Sequence, residues 1–290
     1  IMLIFTFVAM HTMAFAQTVP FPSENLAAWY SADSVHLTTD NHVDILYDKS
    51  GNERHAIQQT AGKQPKWIGS DEYINNQPTL YFDGDDFLSS TFETTLQQPN
   101  TVFVIWKTTN TTGQATCFSG LNNNARNQLF AQNNSVGIYS GVLLTTNQFN
   151  YPFQYSLFEA VFNKTASMLA VNGNIVAEGN NGAYSINGIS VGSNHGSECI
   201  IGNIPELIFF NSAISSADSA AVMEYLQGKY ADKRLLIDHR IPVDYGFAPV
   251  TYTAECDWAQ SFLWDDGGTS PTTVIGDAKP HVLTVTDKFG

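Results

Sequence analysis

Through residues 24–211 short apolar runs alternate with polar, turn-forming stretches. The run 101–107, TVFVIWK, is continuously β-branched and aromatic, which predicts a strand buried on both faces. Residues 168–171 (MLAV) and 175–177 (IVA) flank Asn172-Gly173. That pair accepts the positive φ angles of a primed turn and so predicts a β-hairpin. Further strands are expected at 136–139, 157–162, 186–191 and 206–210. One helix interrupts the series. Ser215-Ser216-Ala217-Asp218 reads as a capping box, and behind it Met223, Leu226 and Tyr230 recur at helical spacing. Lys229, Lys233 and Arg234 suit the C-terminal end of its dipole, and the helix is expected over 216–231. Many short strands and one late helix predict an all-β sandwich, not an α/β fold.

After the helix a mixed-charge stretch, ADKRLLIDHR, leads into a second β pattern near Ile241. Its strands are expected at 250–253, 261–264, 272–275 and 281–286, with turns at Asp265-Asp266-Gly267-Gly268 and Ala278-Lys279-Pro280. At the other end, residues 2–16 read as a secretory signal: an apolar core up to Met10, then Ala14-Phe15-Ala16 as a cleavage site before Gln17. That run is too short to span a bilayer. The chain opens on Ile1 without a charged leader region, as a signal truncated at its start would. The expected organisation is a signal at 1–16, a linker at 17–23, a first sandwich at 24–233, a linker at 234–240 and part of a second sandwich at 241–290. Such a protein is exported, to the medium or the cell surface, and does not insert in a membrane once the signal is removed.

Charge narrows the partners. Hydrophobic residues make up 43% of the 290 and charged residues 14%, so neutral polar side chains must cover most of the surface. The formal net charge is −14, and the basic residues form no stripe. A phosphate backbone is repelled by such a surface, so nucleic acid is not an expected partner, nor is docking on anionic lipid.

Four blocks in order carry a family resemblance: Ala28-Trp29-Tyr30-Ser31-Ala32-Asp33; Asp48-Lys49-Ser50-Gly51-Asn52 followed by His55-Ala56; residues 77–88, QPTLYFDGDDFL; and Gly202 through Glu206 and Asn211 to the helix ending at Tyr230. Together they resemble the bacterial laminin-G-like, concanavalin A-type jelly-roll family, which implies a jelly roll over about 24–231. Pro205 departs from the small residue expected before Glu206 and reads as a strand edge or start. Residues 262–267 (FLWDDG) and 283–287 (LTVTD) resemble the immunoglobulin- or PKD-like spacer modules of secreted bacterial proteins. Cys256 stands eight residues before Trp264, the order of the strand-B cysteine and strand-C tryptophan in immunoglobulin-like sandwiches. That resemblance implies a partner for Cys256 beyond Gly290. Cys117 and Cys199 then remain, either as a disulfide, if their Cα atoms lie within about 7 Å, or as buried free thiols.

The candidate chemistry is sparse. Glycosidases of the jelly-roll family place two carboxylates at alternate positions of one strand, and that Glu-x-Asp-x-x-Glu pattern is absent. Glu206 falls where the non-catalytic family also has Glu, so a structural role is expected; Glu198 lies eight residues before it. Ser nucleophile elbows, His-x-x-x-His pairs and phosphate-cradling loops are missing as well. His55 is expected to stabilise a turn. Asp83, Asp85 and Asp86 form the densest acidic cluster, a candidate calcium site or else a tight turn in which the carboxylates cap backbone amides. Of the tryptophans Trp29, Trp67, Trp106 and Trp264, only Trp67 falls in a loop-like stretch where it could stack on a sugar; packing is the alternative. The expected function is non-catalytic recognition of carbohydrate or a cell-surface partner, as a binding or adhesion module. An accessory module of a glycan-degrading enzyme, or a plain spacer, are the alternatives.

Overall fold

The computed structural model describes residues 19–110, 112–146 and 153–231 and, towards the C-terminus, 249–254, 256, 259–277, 279, 281–287 and 289. The expected signal and the 234–240 linker lie outside the described residues. Sixteen strands build the first unit. They are β1 (Leu26–Leu37), β2 (Val43–Asp48), β3 (Ala56–Ile57), β4 (Lys66–Asp71), β5 (Gln77–Asp83), β6 (Leu88–Leu96), β7 (Asn100–Thr108) and β8 (Gln114–Ser119). The series continues with β9 (Gln128–Gln132), β10 (Ser135–Tyr139), β11 (Leu143–Thr146), β12 (Phe153–Phe162), β13 (Ser167–Val171), β14 (Asn174–Gly179), β15 (Ile186–Val191) and β16 (Ile201–Phe210). Helix α1 (Ser216–Tyr230) follows.

All the pairings are antiparallel, in the order β11-β10-β9-β8-β15-β6-β3-β2-β1-β16-β7-β12-β13-β14, with the β4–β5 hairpin joined to β16. The sheet folds over on itself, so that β11 and β14 at its two ends come into contact. The protein is thus an all-β, jelly-roll-like sandwich with one helix. The inter-layer core gathers Tyr30, Phe82, Leu88, Trp106, Phe118, Phe158 and Phe209, among others. A second core forms where α1 covers the outer face of β1, β16, β7 and β12; it includes Trp29, Phe103, Ile105, Tyr155, Ile208, Val222, Leu226 and Tyr230. The two cores explain the unbroken apolar run of β7. Val102, Val104 and Trp106 point inward, while Phe103 and Ile105 point at the helix.

The local signals act as expected at several places. Asn172 and Gly173 take φ of 50° and 77° between β13 and β14. The Ser215 side chain accepts from the Asp218 amide at the start of α1. The helix buries Val222, Leu226 and Tyr230, and Met223 only flanks that stripe. Phe21, ahead of the expected domain start at 24, is already buried in the second core, 5.2 Å from the Trp29 ring. Pro205 corrects its expectation. It lies inside β16, a central strand, where the register to β7 shifts between Asn203 and Glu206. On the other side the partner changes there from β5 to β1, so no ladder bond is demanded of the missing N–H.

In the C-terminal part β17 (Val250–Thr253) pairs with β19 (Thr272–Ile275), and β18 (Ser261–Trp264) with β20 (Leu283–Thr286). Trp264 is buried and meets the Tyr252 ring edge-on at 6.0 Å. Among the described residues no helix is long and apolar enough to cross a membrane.

Candidate functional site

The carboxylates come first, because glycan hydrolysis would depend on them. Glu206 projects from β16 toward α1 and is buried, with its carboxylate held by five donors. Trp29 Nε1 (2.6 Å) and Tyr225 OH (2.9 Å) donate to Oε1. Lys229 Nζ (2.7 Å), Tyr230 OH (2.5 Å) and Ser31 Oγ (3.2 Å) donate to Oε2. Lys229 also reaches Asp33 at 2.8 Å, and Lys49 pairs with the same carboxylate at 2.7 Å. The Asp33 pKa is lowered: burial opposes the shift, and the hydrogen bonds of the two lysines outweigh it. Glu159, two strands away on β12, accepts from Ser219 of α1 at 2.9 Å, and burial raises its pKa. Both glutamates lie beneath the helix, fastening it to the sheet.

The Asp48–His55 block is a clasp as well. Asp48 accepts from the amides of Trp29, Ser50 and Arg54 at 2.9, 2.9 and 3.0 Å. His55 Nδ1 accepts from the Asp48 amide at 3.0 Å, the turn role expected of it.

Asp83, Asp85 and Asp86 bring one carboxylate oxygen each within 4.8 Å of one another, Asp86 being buried and the other two exposed. Burial, then the neighbouring carboxylates, push the Asp86 pKa up to about 7, although its Oδ2 accepts from the Asp83 amide at 3.0 Å. Calcium takes roughly six to eight oxygens, so these carboxylates would need bidentate binding or further ligands, and a proton competes for Asp86 near neutral pH. Trp67 is half-buried against the inter-layer core, and its Nε1 donates to the Ala32 carbonyl at 2.8 Å. Its ring lies over Gly69, where a Cβ would sit 2.8 Å from the indole. Its donor and one face are therefore already engaged. Trp29, Trp106 and Trp264 are buried. Cys117 and Cys199 are free thiols and do not form the disulfide that the sequence allowed. The Cys117 side chain enters the inter-layer core, while Cys199 lies outside that cluster, beside Ser193 and under the influence of Asp85, Lys63 and Asp86. Burial raises both thiol pKa values, that of Cys199 to about 11 with help from the two aspartates.

A different set of side chains meets on the outer face of the β8–β9–β10 layer. Ala115, Cys117, Leu129, Ala131, Val136 and Ile138 fill the core, so Gln114, Thr116, Gln128 and Tyr139 face the other way. Two polar loops close over this face, 120–127 between β8 and β9 and 192–200 between β15 and β16. Each is pinched by a single bridge, Asn122 to Ala125 and Asn194 to Ser197. Gly192 opens the second loop at φ 84°, where a Cβ would sit 2.5 Å from the Phe82 ring. The polar groups then form a row. Glu198 Oε2 accepts from Gln114 Nε2 at 2.8 Å and Asn194 Nδ2 at 2.9 Å. Asn194 Oδ1 accepts from Arg126 Nη1 at 3.1 Å and Ser119 Oγ at 3.2 Å. The Arg126 guanidinium lies 4.7 Å over the Tyr139 ring, which meets Tyr184 edge-on at 6.2 Å. His195, at φ 54° in the same loop, has its pKa lowered by burial and then by Arg126.

No family model and no curated protein sequence matches the chain. Solved structures do. The chain is similar to Trypanosoma rangeli sialidase in complex with 2,3-difluorosialic acid, at 12% identity and a TM-score of 0.49, over 76% of this chain and 35% of that one. It is similar to the Ruminococcus gnavus IT-sialidase CBM40 bound to α2,3-sialyllactose, at 15% identity and 0.40, over 50% and 94%. It is also similar to domain 4 of AbnA, a GH43 extracellular arabinanase of Geobacillus stearothermophilus in complex with arabinotriose, at 15% and 0.46, over 68% and 96%. The chain spans about a third of the sialidase's length.

Little in the sequence announces this row. Of its members only Glu198 drew attention, and that for its spacing to Glu206. The one advance sign was an arginine at the end of an asparagine-rich loop, Asn122-Asn123-Asn124-Ala125-Arg126, in a chain with only 13 basic residues.

Proposed function

We propose that the chain is a non-catalytic carbohydrate-binding or adhesion module of an exported protein, and that it binds glycan along the row Gln114–Glu198–Asn194–Arg126. The observation that supports this is the row itself. Four planar polar groups from β8 and two loops hold one another by hydrogen bonds on an outer sheet face, next to a pair of tyrosine rings. Amide, carboxylate and guanidinium edges fixed side by side suit adjacent hydroxyls, each of which donates and accepts, and a few fixed polar groups beside aromatic surface are what a specific small-ligand site needs. Glu198 is exposed and, among the described residues, uses only Oε2, which leaves Oε1 for a hydroxyl. The saturation of Glu206 under α1 weighs against two-carboxylate hydrolysis by Glu206 and Glu159 on the helix-covered face. Export is supported by the apolar run and Ala14-Phe15-Ala16.

The test is affinity electrophoresis of the chain through gels cast with soluble polysaccharides. Retardation by at least one glycan class is expected, with a loss of at least tenfold in affinity when Glu198→Ala and Asn194→Ala are combined. Retardation that both substitutions leave unchanged removes the row from the site. A chain that no polysaccharide retards overturns the carbohydrate reading.

A further inference from the structure

Arg126 is a half-buried cation without a counter-ion among the described residues. Among the described residues no carboxylate lies within ion-pair distance of it. Its Nη1 donates to two neutral amide oxygens, Asn194 at 3.1 Å and Asn123 at 3.5 Å. Nε is enclosed with no partner, and Nη2 donates to nothing among the described residues. Both ring nitrogens of His195 are enclosed nearby, approached by the Leu121 backbone without reaching hydrogen-bond geometry. A desolvated guanidinium without an anion is costly, and its planar fork matches a carboxylate or sulfate. Glu198, the nearest acid of the row, does not neutralise it. Asn194 stands between them, giving its oxygen to Arg126 and its amide hydrogens to Glu198.

We propose that Arg126, at the Tyr139 end of the row, is the subsite for the anionic group of an acidic glycan, a carboxylate or a sulfate ester. This rests on the glycan-binding reading of the row. The acid group takes the guanidinium edge at Nη2, and the sugar hydroxyls run along Asn194 and Glu198. The row therefore has a cation at one end and a hydroxyl-binding carboxylate further along, beside Gln114, so acidic sugars gain at the first while neutral ones only fill the second.

The experiment is a glycan array carrying neutral, uronate-, sialate- and sulfate-bearing glycans, probed with the wild-type chain and two variants. Arg126→Gln keeps an amide donor near Asn194 without the charge. Asn123→Asp, at an exposed position whose oxygen already faces Nη1, neutralises Arg126 from within and leaves packing intact. The wild type is expected to bind acidic glycans at least tenfold above their neutral counterparts, with salt reducing the preference. Both variants lose that preference. The class retained, carboxylate or sulfate, names the anion. Equal binding of neutral and acidic glycans, or a preference that survives Asn123→Asp, overturns the proposal while glycan binding stands. Failure to bind any glycan overturns the glycan reading itself and the proposal with it.

Discussion

At the scale of single residues, the polar groups of this fold divide by whether the protein satisfies them. Glu206 has five donors and Asp48 has backbone amides, so their charges are consumed in holding strands together. Asp86 is the opposite case, a buried carboxyl crowded by two others. Its pKa rises from 3.8 to about 7 in the folded protein. Between those values the native state holds more protons than the unfolded chain, so stability falls as pH rises through the window and is level above it. Asp86→Asn retains an oxygen for the Asp83 amide and mimics the protonated form. It is expected to stabilise the protein at pH 8 by about 1 kcal/mol, allowing for solvent screening, and to change little at pH 4. Denaturant midpoints of both proteins at the two pH values check this. An undiminished pH slope in Asp86→Asn places the titration elsewhere.

At the scale of elements, helix α1 is attached by the carboxylate beneath it as well as by its apolar stripe. Tyr225, Lys229 and Tyr230 all donate to Glu206 from the last two turns. Removing one member of a buried charged network costs about 3–5 kcal/mol, because the others keep their desolvation without their partner. Glu206→Gln puts an amide nitrogen where five donors converge. It is expected to destabilise by about that amount and to speed amide exchange in α1 before that in β7. Uniform loss of protection across the sheet would mean that the contact anchors the whole sandwich and not the helix. The strands and the helix were legible in the sequence because each carries its own local signal: two-sided burial in β7, Asn172-Gly173 in the hairpin, Ser215 and Asp218 at the cap. Lys229 was legible only as a match to the helix dipole, since its carboxylate partners lie on other strands. Pro205 was misread because a bulge with a change of partner strand leaves no periodic trace. The row from Gln114 to Arg126 was illegible for the same kind of reason. Its contacts join residues 84 and 68 positions apart, each an isolated polar residue in a polar setting until β8 and β15 pair.

At the scale of the whole molecule, the described C-terminal strands form two two-stranded sheets. A pair of strands alone is marginal in water, and independent stability needs three or more or a covering element. That unit carries Trp264 as its large buried side chain, with Ala254 and Phe289, and Phe289 is buried not among its own strands but in the second core with Val222, Leu226 and Tyr230. The Phe289 carbonyl accepts from Gln227 Nε2 of α1 at 3.1 Å. The same helix is thus fastened by Glu206 from below and receives the aromatic ring of the following unit. Its packing links a large sandwich to C-terminal strands whose described residues bury little among themselves. Truncating a fully buried phenylalanine costs about 3–5 kcal/mol through lost transfer energy and the cavity left behind. In Phe289→Ala that loss falls on the contact between the two parts, since the ring is surrounded by residues of the first. Calorimetry of the wild-type chain is expected to show the C-terminal strands melting together with the sandwich. In Phe289→Ala a separate, lower transition for those strands is expected, with the sandwich transition shifted by only a few degrees. The Trp264 near-ultraviolet dichroism would follow the lower transition. Two transitions already present in the wild type, unmoved by the substitution, would show that the ring does not couple the parts.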